Sequence, residues 1–380
     1  MALKGIKVIE LAGLAPAPFC GMVLADFGAS VIRIDRVGNH FEADCVANGK
    51  QSLALNLRHP EGVGILRKLS KNCDVLIEPY RKGVMEKLGI GPTVLLKDNP
   101  KLIYARLTGY GQEGKYSARA GHDINYIGIS GLLSLFGRFG EKPLFPVNAV
   151  ADFAGGGLMC ALGIILALFE RQSSGIGQVV DCNMVEGSAY LGSWLYRSQN
   201  LPIWGNPRGK NIIDSGAHFY ETYETKDGKF MAVGAIEPQF YKQLLEGLGL
   251  TEENVPQFPD FERGKQIFTA KFLEKTQDEW SKIFDGRDAC VTPILSLDEA
   301  PKHEHNTERK SFIQSWNNGR MVPIPAPILC RTPGESQCVN PPPQRGQQTE
   351  MILKDLGYDK DGISKLENDG VIETYKMSKL

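Results

Sequence analysis

The chain has 380 residues, of which 42% are hydrophobic and 23% charged, and its formal net charge at pH 7 is −1. This length is enough for two domains, and the composition is that of an ordinary globular protein. The near-zero charge gives no reason to expect nucleic acid or an acidic membrane surface as a partner.

The longest uncharged run, residues 153–169, is short for a membrane span and contains four glycines, which favours a buried helix over a transmembrane one. Charged residues near the amino terminus interrupt any signal-peptide core. No C-x-x-C pair occurs among the eight cysteines, so we expect reduced thiols in an intracellular protein, with no disulfide frame and no zinc site.

The first half of the chain alternates between apolar strands and helical segments. Such alternation predicts a mainly parallel sheet with helices on both faces, that is, a large doubly wound (Rossmann-like) α/β domain. We predict strands at 6–11, 31–35, 52–57, 75–77, 103–107 and 178–182, and helices at 16–28, 60–69 and 184–196.

Three arginines follow predicted strands: Arg36, Arg58 and Arg81. Ligands of doubly wound sheets bind beyond the carboxyl ends of the strands, and arginine suits phosphate groups. These residues therefore indicate either a ligand with several phosphates or simply polar loops, and the two interpretations stay open at this point.

The segment Gly109-Tyr110-Gly111-Gln112-Glu113-Gly114 matches the dinucleotide pattern G-x-G-x-x-G. No apolar helix begins at Gly114, and no acidic residue lies at the required distance, so the context of a nicotinamide site is absent. We interpret this segment as a mobile substrate loop.

Two stretches carry the candidate chemistry, one around His122 and the other around Asp152. Each titratable side chain lies where a helix is predicted to begin, and free backbone N–H groups at a helix start suit a developing oxyanion. An imidazole and a carboxylate facing one carbon could serve as two acid/bases. The alternative is structural, with Asp152 as a helix cap and His122 as a core histidine.

In the second half, the sequence predicts a hairpin from 220–225 and 230–234 around Asp227-Gly228, and helices at 238–248, 265–275 and 278–284. These elements form a second, smaller α+β domain. We place a large domain at 1–200, a linker at 201–219, the small domain at 220–310, and a proline-rich return at 311–380 that completes the large domain, ending in short helices.

The last three residues of the sequence, Ser378-Lys379-Leu380, form the peroxisomal import signal. We therefore expect the import receptor as a partner and the peroxisome as the location.

Several blocks resemble the racemase branch of the family III CoA-transferases, the CaiB/BaiF-like superfamily. The resemblance runs from Met1 to about Leu356 and rests on residues 10–16, 102–106, 121–126, 151–157 and 234–241. The blocks around His122 and Glu237 are typical of the racemases, whereas an aspartate near Asp152 is shared with the transferases. One departure is Ser215-Gly216-Ala217-His218, where the family tends to have Gly-Gly-Ala-Pro.

The resemblance implies an interlocked homodimer and an isomerase that interconverts (2R)- and (2S)-2-methylacyl-CoA thioesters, including branched fatty acyl and bile-acid intermediates. It implies that His122 and Asp152 are the acid/bases and that Glu237 contacts the site and supports His122. It also implies that a mitochondrial pool can exist beside the peroxisomal one. No metal and no cofactor is expected, because CoA is part of the substrate. The residues expected to hold the acyl-CoA are Arg36, Leu55, Asn56, Leu57, Arg58, Arg81, Gly121, Asp123, Ile124, Asn125 and Tyr126.

Two other functions remain open. In a CoA-transferase, Asp152 attacks the thioester as a nucleophile, and His122 is not required. A non-catalytic acyl-CoA-binding protein requires neither side chain.

Overall fold

The computed structural model describes residues 1–38, 44–317 and 319–376. The predicted import signal at 378–380 lies outside the described residues. The chain forms two compact units, one of residues 1–130, 147–191 and 304–380 and the other of residues 131–146 and 192–303. The second unit thus includes 131–146 and 192–219, which the sequence analysis placed in the large domain and the linker.

The first unit is built on a seven-stranded sheet with the strand order β12-β3-β2-β1-β4-β5-β6. Strands β1 to β6 are parallel in the order 3-2-1-4-5-6, which is the doubly wound arrangement predicted from the sequence. The short last strand pairs antiparallel with β3. The strands are β1 (Lys7–Leu11), β2 (Ser30–Asp35), β3 (Gln51–Leu55), β4 (Val75–Glu78), β5 (Ile103–Thr108), β6 (Val179–Asn183) and β12 (Ile372–Glu373).

Helices cover this sheet, and aliphatic side chains such as Leu53, Ile65, Leu76 and Leu353 fill the space between the layers. Burying each such side chain contributes about 1.5–3 kcal/mol. The helices of the first unit are α1 (Pro16–Asp26), α2 (Pro60–Ser70), α3 (Val84–Lys87), α4 (Pro92–Asp98), α5 (Asp123–Ile129), α6 (Met159–Ser174), α7 (Met184–Leu191), α12 (Glu304–Glu308), α13 (Thr349–Asp355) and α14 (Lys360–Asn368).

A single continuous helix runs from Ala149 to Ser174, because the ten π-helical residues Ala149–Leu158 lead directly into α6. Two glycines let it approach its neighbours closely. A Cβ on Gly155 would lie 2.6 Å from the amide nitrogen of Ser188, and one on Gly157 would lie 2.7 Å from the carbonyl oxygen of Pro16. By length and composition this helix could cross a membrane, but half of its apolar window is buried inside the protein, as in a core helix.

Ion pairs replace apolar contacts inside the strands of the first unit. Glu10 and Lys50 are both fully buried, and Lys50 Nζ lies 2.8 Å from Glu10 Oε2. Burial raises the pKa of Glu10 to about 7 in spite of the lysine. Arg106 pairs in the same way with Glu78, at 3.0 Å. Neither pair could be read from the sequence, since the pattern of a buried strand does not show which charged residues meet across the sheet.

The return segment contains more structure than the predicted proline-rich stretch. Strands β10 (Phe312–Gln314) and β11 (Met321–Pro323) form a two-stranded antiparallel hairpin. Strands of three residues with prolines nearby give little alternation, which is why the pattern did not reveal them.

The second unit packs helices against a three-stranded antiparallel sheet in the order β7-β8-β9. The predicted hairpin is present, and Gly228 adopts the left-handed conformation (φ +71°) that its turn requires. Aromatic residues dominate the core, among them Phe219, Phe268 and Trp280. The elements are α8 (Ser193–Arg197), β7 (Tyr220–Glu224), β8 (Phe230–Gly234), α9 (Pro238–Leu248), α10 (Phe261–Phe272), α11 (Gln277–Phe284) and β9 (Val291–Pro293).

Candidate active site

A cavity of about 260 Å³ lies at the carboxyl ends of β1, β4 and β5. In a sheet with this strand order the chain leaves β1 and β4 in opposite directions, and the crevice between them is where ligands bind. The cavity lies at this point. Its walls include Leu14, Pro16 and Ala17 after β1, Pro79 and Arg81 after β4, Thr108, Gly109 and Tyr110 at the end of β5, and Gly121, His122, Tyr126, Asp152 and Met184.

His122 is an exposed residue at the N-cap position of α5. Its main chain is fixed by the first turn of this helix. The His122 N–H donates to Asn125 Oδ1 at 3.0 Å, and the His122 carbonyl accepts from the amides of Asn125 and Tyr126 at 2.8 and 3.2 Å. The interpretation of His122 as a core histidine is therefore wrong, because its imidazole opens into the cavity.

Asp152 is buried, at 7% exposure, in the first turn of the helix that begins at Ala149. It does not cap this helix. Its Oδ2 accepts a hydrogen bond from Asn148 Nδ2 at 2.9 Å. Burial is the main reason why the pKa of Asp152 is raised, the charge of Asp123 raises it further, and the Asn148 bond and the His122 imidazole partly oppose the shift. The two candidate bases are therefore close enough to interact electrostatically.

Asp123 connects the two bases. It follows His122 in the chain, is 1% exposed, and its Oδ2 accepts from the amides of both Ala151 and Asp152 at 2.8 Å. A carboxylate at the start of a helix is stabilised by the free N–H groups and by the helix dipole. The expectation that these N–H groups are available to an oxyanion is therefore wrong for Ala151 and Asp152, because Asp123 occupies them.

Arg36, Arg58 and Arg81 follow the parallel strands β2, β3 and β4, and all three are exposed. Arg81 lines the cavity and donates to the carbonyl of Ala118 at 3.4 Å. The Arg36 guanidinium lies 6.0 Å from the ring centroid of Tyr80. Arg58 donates its amide to Asn56 Oδ1 at 3.1 Å. Three cations therefore lie beyond the carboxyl ends of the parallel strands, on the same side of the sheet as the cavity.

The other residues expected to hold CoA differ in their surroundings. Leu55 is 2% exposed and belongs to the core. Asn56 donates from Nδ2 to the carbonyl of Gly370 at 3.2 Å, and Leu57 is half-buried. Ile124 and Asn125 are exposed on α5, whereas Gly121 and Tyr126 line the cavity.

Two residues singled out in the sequence lie in the second unit. Glu237 is exposed at the N-cap position of α9. His218 is completely buried among aromatic rings, with its Nε2 2.8 Å from Tyr241 Oη. Burial lowers the pKa of His218 to about 4, so this histidine is uncharged at neutral pH.

Sequence reasoning missed Asn148 and Tyr110. Asn148 has a left-handed backbone (φ +60°) directly before the helix that carries Asp152, and asparagine tolerates this conformation better than most residues. Asparagine just before an apolar run is a helix-start signal that could have indicated it. In the described parts of the chain, no group of three or more His, Cys, Asp or Glu side chains is arranged to hold a metal ion.

The sheet order and the cavity at its switch point define a doubly wound α/β protein with a ligand-sized crevice. A profile of CoA-transferase family III matches residues 3–349, and the chain belongs to this family. It is 54% identical to the α-methylacyl-CoA racemase of Homo sapiens over 99% of both chains, and 54% identical to that of Mus musculus over the same share. The succinyl-CoA:glutarate CoA-transferase of Mus musculus is 29% identical over 98% of this chain and 91% of its own.

Solved structures show the same fold. A CAIB/BAIF family protein from Brucella suis has a TM-score of 0.77 and 23% identity, covering 93% of this chain and 99% of its own. A Mycobacterium tuberculosis protein has a TM-score of 0.74 and 22% identity, covering 92% of this chain and 98% of its own.

Proposed function

We propose that the protein is a racemase that interconverts (2R)- and (2S)-2-methylacyl-CoA thioesters. The observation that carries this proposal is the pairing of His122 with Asp152 in one cavity. The relatives named as racemases are 54% identical over nearly the full length, whereas the named glutarate transferase is 29% identical. We therefore favour racemisation over CoA transfer.

In the proposed mechanism one base removes the α-proton and the other returns a proton to the opposite face of the planar enolate. His122 accepts the proton of the 2S substrate, and protonated Asp152 then donates to the same carbon. In the reverse direction Asp152 takes the proton of the 2R substrate and the His122 imidazolium donates. The raised pKa of Asp152 supports this scheme, since the carboxyl must hold a proton for part of the cycle.

Binding of the substrate is assigned to the cations at the edge of the sheet. Arg36, Arg58 and Arg81 would bind the phosphates of CoA, because guanidinium groups bind phosphate oxygens in pairs. The loop and helix from Gly121 to Tyr126 would lie along the thioester. The reaction as proposed uses only the side chains of the protein and the acidity of the thioester.

We also assign a homodimer. The continuous helix from Ala149 to Ser174 exposes an apolar stripe at i, i+4, i+7, i+8 and i+11, with Phe169 at 71% exposure. A contiguous exposed apolar stripe marks an interaction surface, and we assign it to a second copy of the chain because two-fold pairing is the commonest assembly. The residues of the stripe are Leu158, Leu162, Ile165, Leu166 and Phe169.

The test of the function is α-proton exchange in heavy water on each enantiomer of a 2-methylacyl-CoA, with deuterium measured in recovered substrate and in inverted product. The wild-type protein should exchange and invert both enantiomers. His122→Ala should slow inversion by at least about 100-fold and leave exchange of the 2R substrate, and Asp152→Ala should leave exchange of the 2S substrate only. The exposed His305, on α12, provides a control in His305→Ala.

The same experiment separates the alternatives. In a transferase the Asp152 carboxylate attacks the thioester carbonyl, the C–S bond breaks, CoA thiolate leaves and a mixed anhydride remains. Hydroxylamine would trap this acyl group as a hydroxamate. Trapping during turnover would replace the two-base mechanism with transfer, and full racemisation by His122→Ala would refute the role of His122 as a base. Binding of acyl-CoA without any exchange would indicate a non-catalytic binding protein.

A further inference from the structure

The ring of Tyr126 lies against two glycines. A Cβ on Gly109 would lie 2.2 Å from Tyr126 Cε1, and a Cβ on Gly121 would lie 2.7 Å from the same atom. Neither glycine has a left-handed φ, so the close approach of the ring is the reason why both positions lack a side chain. This explains the first glycine of the G-x-G-x-x-G segment, which has no place in a dinucleotide site.

The hydroxyl of Tyr126 donates to the carbonyl oxygen of Gly121. This carbonyl belongs to the peptide that leads into His122. Burial raises the pKa of Tyr126 to about 12, so the phenol remains a donor throughout the physiological range. Together with the bonds from the amides of Asn125 and Tyr126, it fixes the main chain on both sides of His122.

A second tyrosine holds the ring in place. Tyr110 packs edge-on against Tyr126 with ring centroids 5.0 Å apart and an interplanar angle of 82°. Tyr126 is only 8% exposed, which leaves little of its surface for a ligand. The contacts of Asp152 are different, because its side chain is bound by Asn148 and its amide by Asp123.

We infer that Tyr126 is a positioning residue for His122, acting through its hydrogen bond to the Gly121 carbonyl and through the packing of its ring against Gly109 and Gly121. This inference rests on the proposed function and adds a selective role to it. Because Asp152 is held by separate contacts, losing the Tyr126 hydroxyl should impair proton transfer by His122 more than proton transfer by Asp152.

The variant Tyr126→Phe removes the hydroxyl and keeps the ring. In heavy water, the deuterium entering recovered 2S substrate, which reports on His122, should fall about 10-fold, because small displacements of a catalytic group are costly. The deuterium entering recovered 2R substrate should fall less than about 3-fold, and the KM for each enantiomer should change less than about 2-fold. The matched control is Tyr116→Phe, whose ring contacts Tyr110 at 5.4 Å and does not line the cavity.

A second variant tests the packing of the ring. Gly109→Ala places a methyl group against the Tyr126 ring, and it should also reduce exchange of the 2S substrate more than exchange of the 2R substrate. Equal exchange by Tyr126→Phe and wild type would overturn the inference, as would equal losses for both enantiomers, weaker substrate binding with kcat unchanged, or unfolding of the variant.

If the wild-type protein exchanges neither enantiomer, the proposed function fails, and the positioning role is tested by NMR instead. The signals of the His122 ring should shift in Tyr126→Phe and not in Tyr116→Phe. Unchanged signals in Tyr126→Phe would overturn the inference.

Discussion

Replacing Asp123 with asparagine should weaken the start of the helix that carries Asp152. The carboxylate accepts two backbone hydrogen bonds of 2.8 Å and is 1% exposed. Each of the two hydrogen bonds weakens by about 1 kcal/mol when its acceptor changes from a charged carboxylate to a neutral amide. The lost interaction with the helix dipole adds up to about 1 kcal/mol. We therefore expect a local destabilisation of about 3 kcal/mol.

Hydrogen exchange of the backbone measures this effect where it occurs. The amides of Ala151 and Asp152 should exchange about 100-fold faster in Asp123→Asn than in the wild type, since about 1.4 kcal/mol corresponds to a factor of ten. The control is Asp361→Asn, which changes an exposed carboxylate in the first turn of α14. In this control variant, the protection factors of the Ala151 and Asp152 amides should stay within about 3-fold of the wild type.

The pH dependence of catalysis gives a second measure of the same substitution. The charge of Asp123 raises the pKa of Asp152, so its removal should lower that pKa and move the corresponding limb of the pH–rate profile to lower pH. Unchanged protection of Ala151 and Asp152 together with an unchanged profile would refute the role given to Asp123.

Four further outcomes are expected. Asn148→Gly, which keeps the left-handed backbone and removes the bond to Asp152, should move the Asp152 limb of the pH–rate profile to higher pH, and a shift to lower pH would contradict this. The pKa of Asp26 is raised to about 6 by burial, so its contribution to the unfolding free energy is complete below about pH 4 and is lost as the pH rises through 6. In urea titrations at several pH values, Asp26→Asn should reduce the fall in unfolding free energy between pH 4 and 6 by about 1–2 kcal/mol, and an unchanged fall would count against this role. Phe169→Glu should sediment as a monomer and Glu170→Gln as a dimer, whereas a wild-type monomer would remove the basis for the homodimer. Deleting 378–380 should leave the protein outside peroxisomes, in the cytosol or in mitochondria, and unchanged import would refute the signal.

Much of the fold could be predicted because buried parallel strands are continuous apolar runs. The segments of β1, β2 and β5 differ from their predicted bounds by one residue at most. The sheet could also be assigned its doubly wound type, since helices alternate with the strands. The antiparallel β12 was missed because two residues carry no pattern.

The site was only partly predictable for a different reason. His122 and Asp152 stand out because each occurs near the start of a helix, and this local signal is visible in the sequence. The role of Asp123 depends on hydrogen bonds to residues 28 and 29 positions away, and the place of Tyr126 depends on a glycine in another loop. Contacts of this kind are set by the tertiary structure and leave no pattern along the chain.

The pairing of β12 with β3 has a consequence for synthesis. Asn56 at the end of β3 binds the carbonyl of Gly370, which is 314 residues further along the chain. Ribosomes add about 5–20 residues per second, so the edge of β3 stays open for about 15–60 seconds after it is made. An unpaired strand edge is a template for association with other chains. The nascent protein should therefore depend on chaperones during this interval, and a pause in translation before residue 370 should increase aggregation.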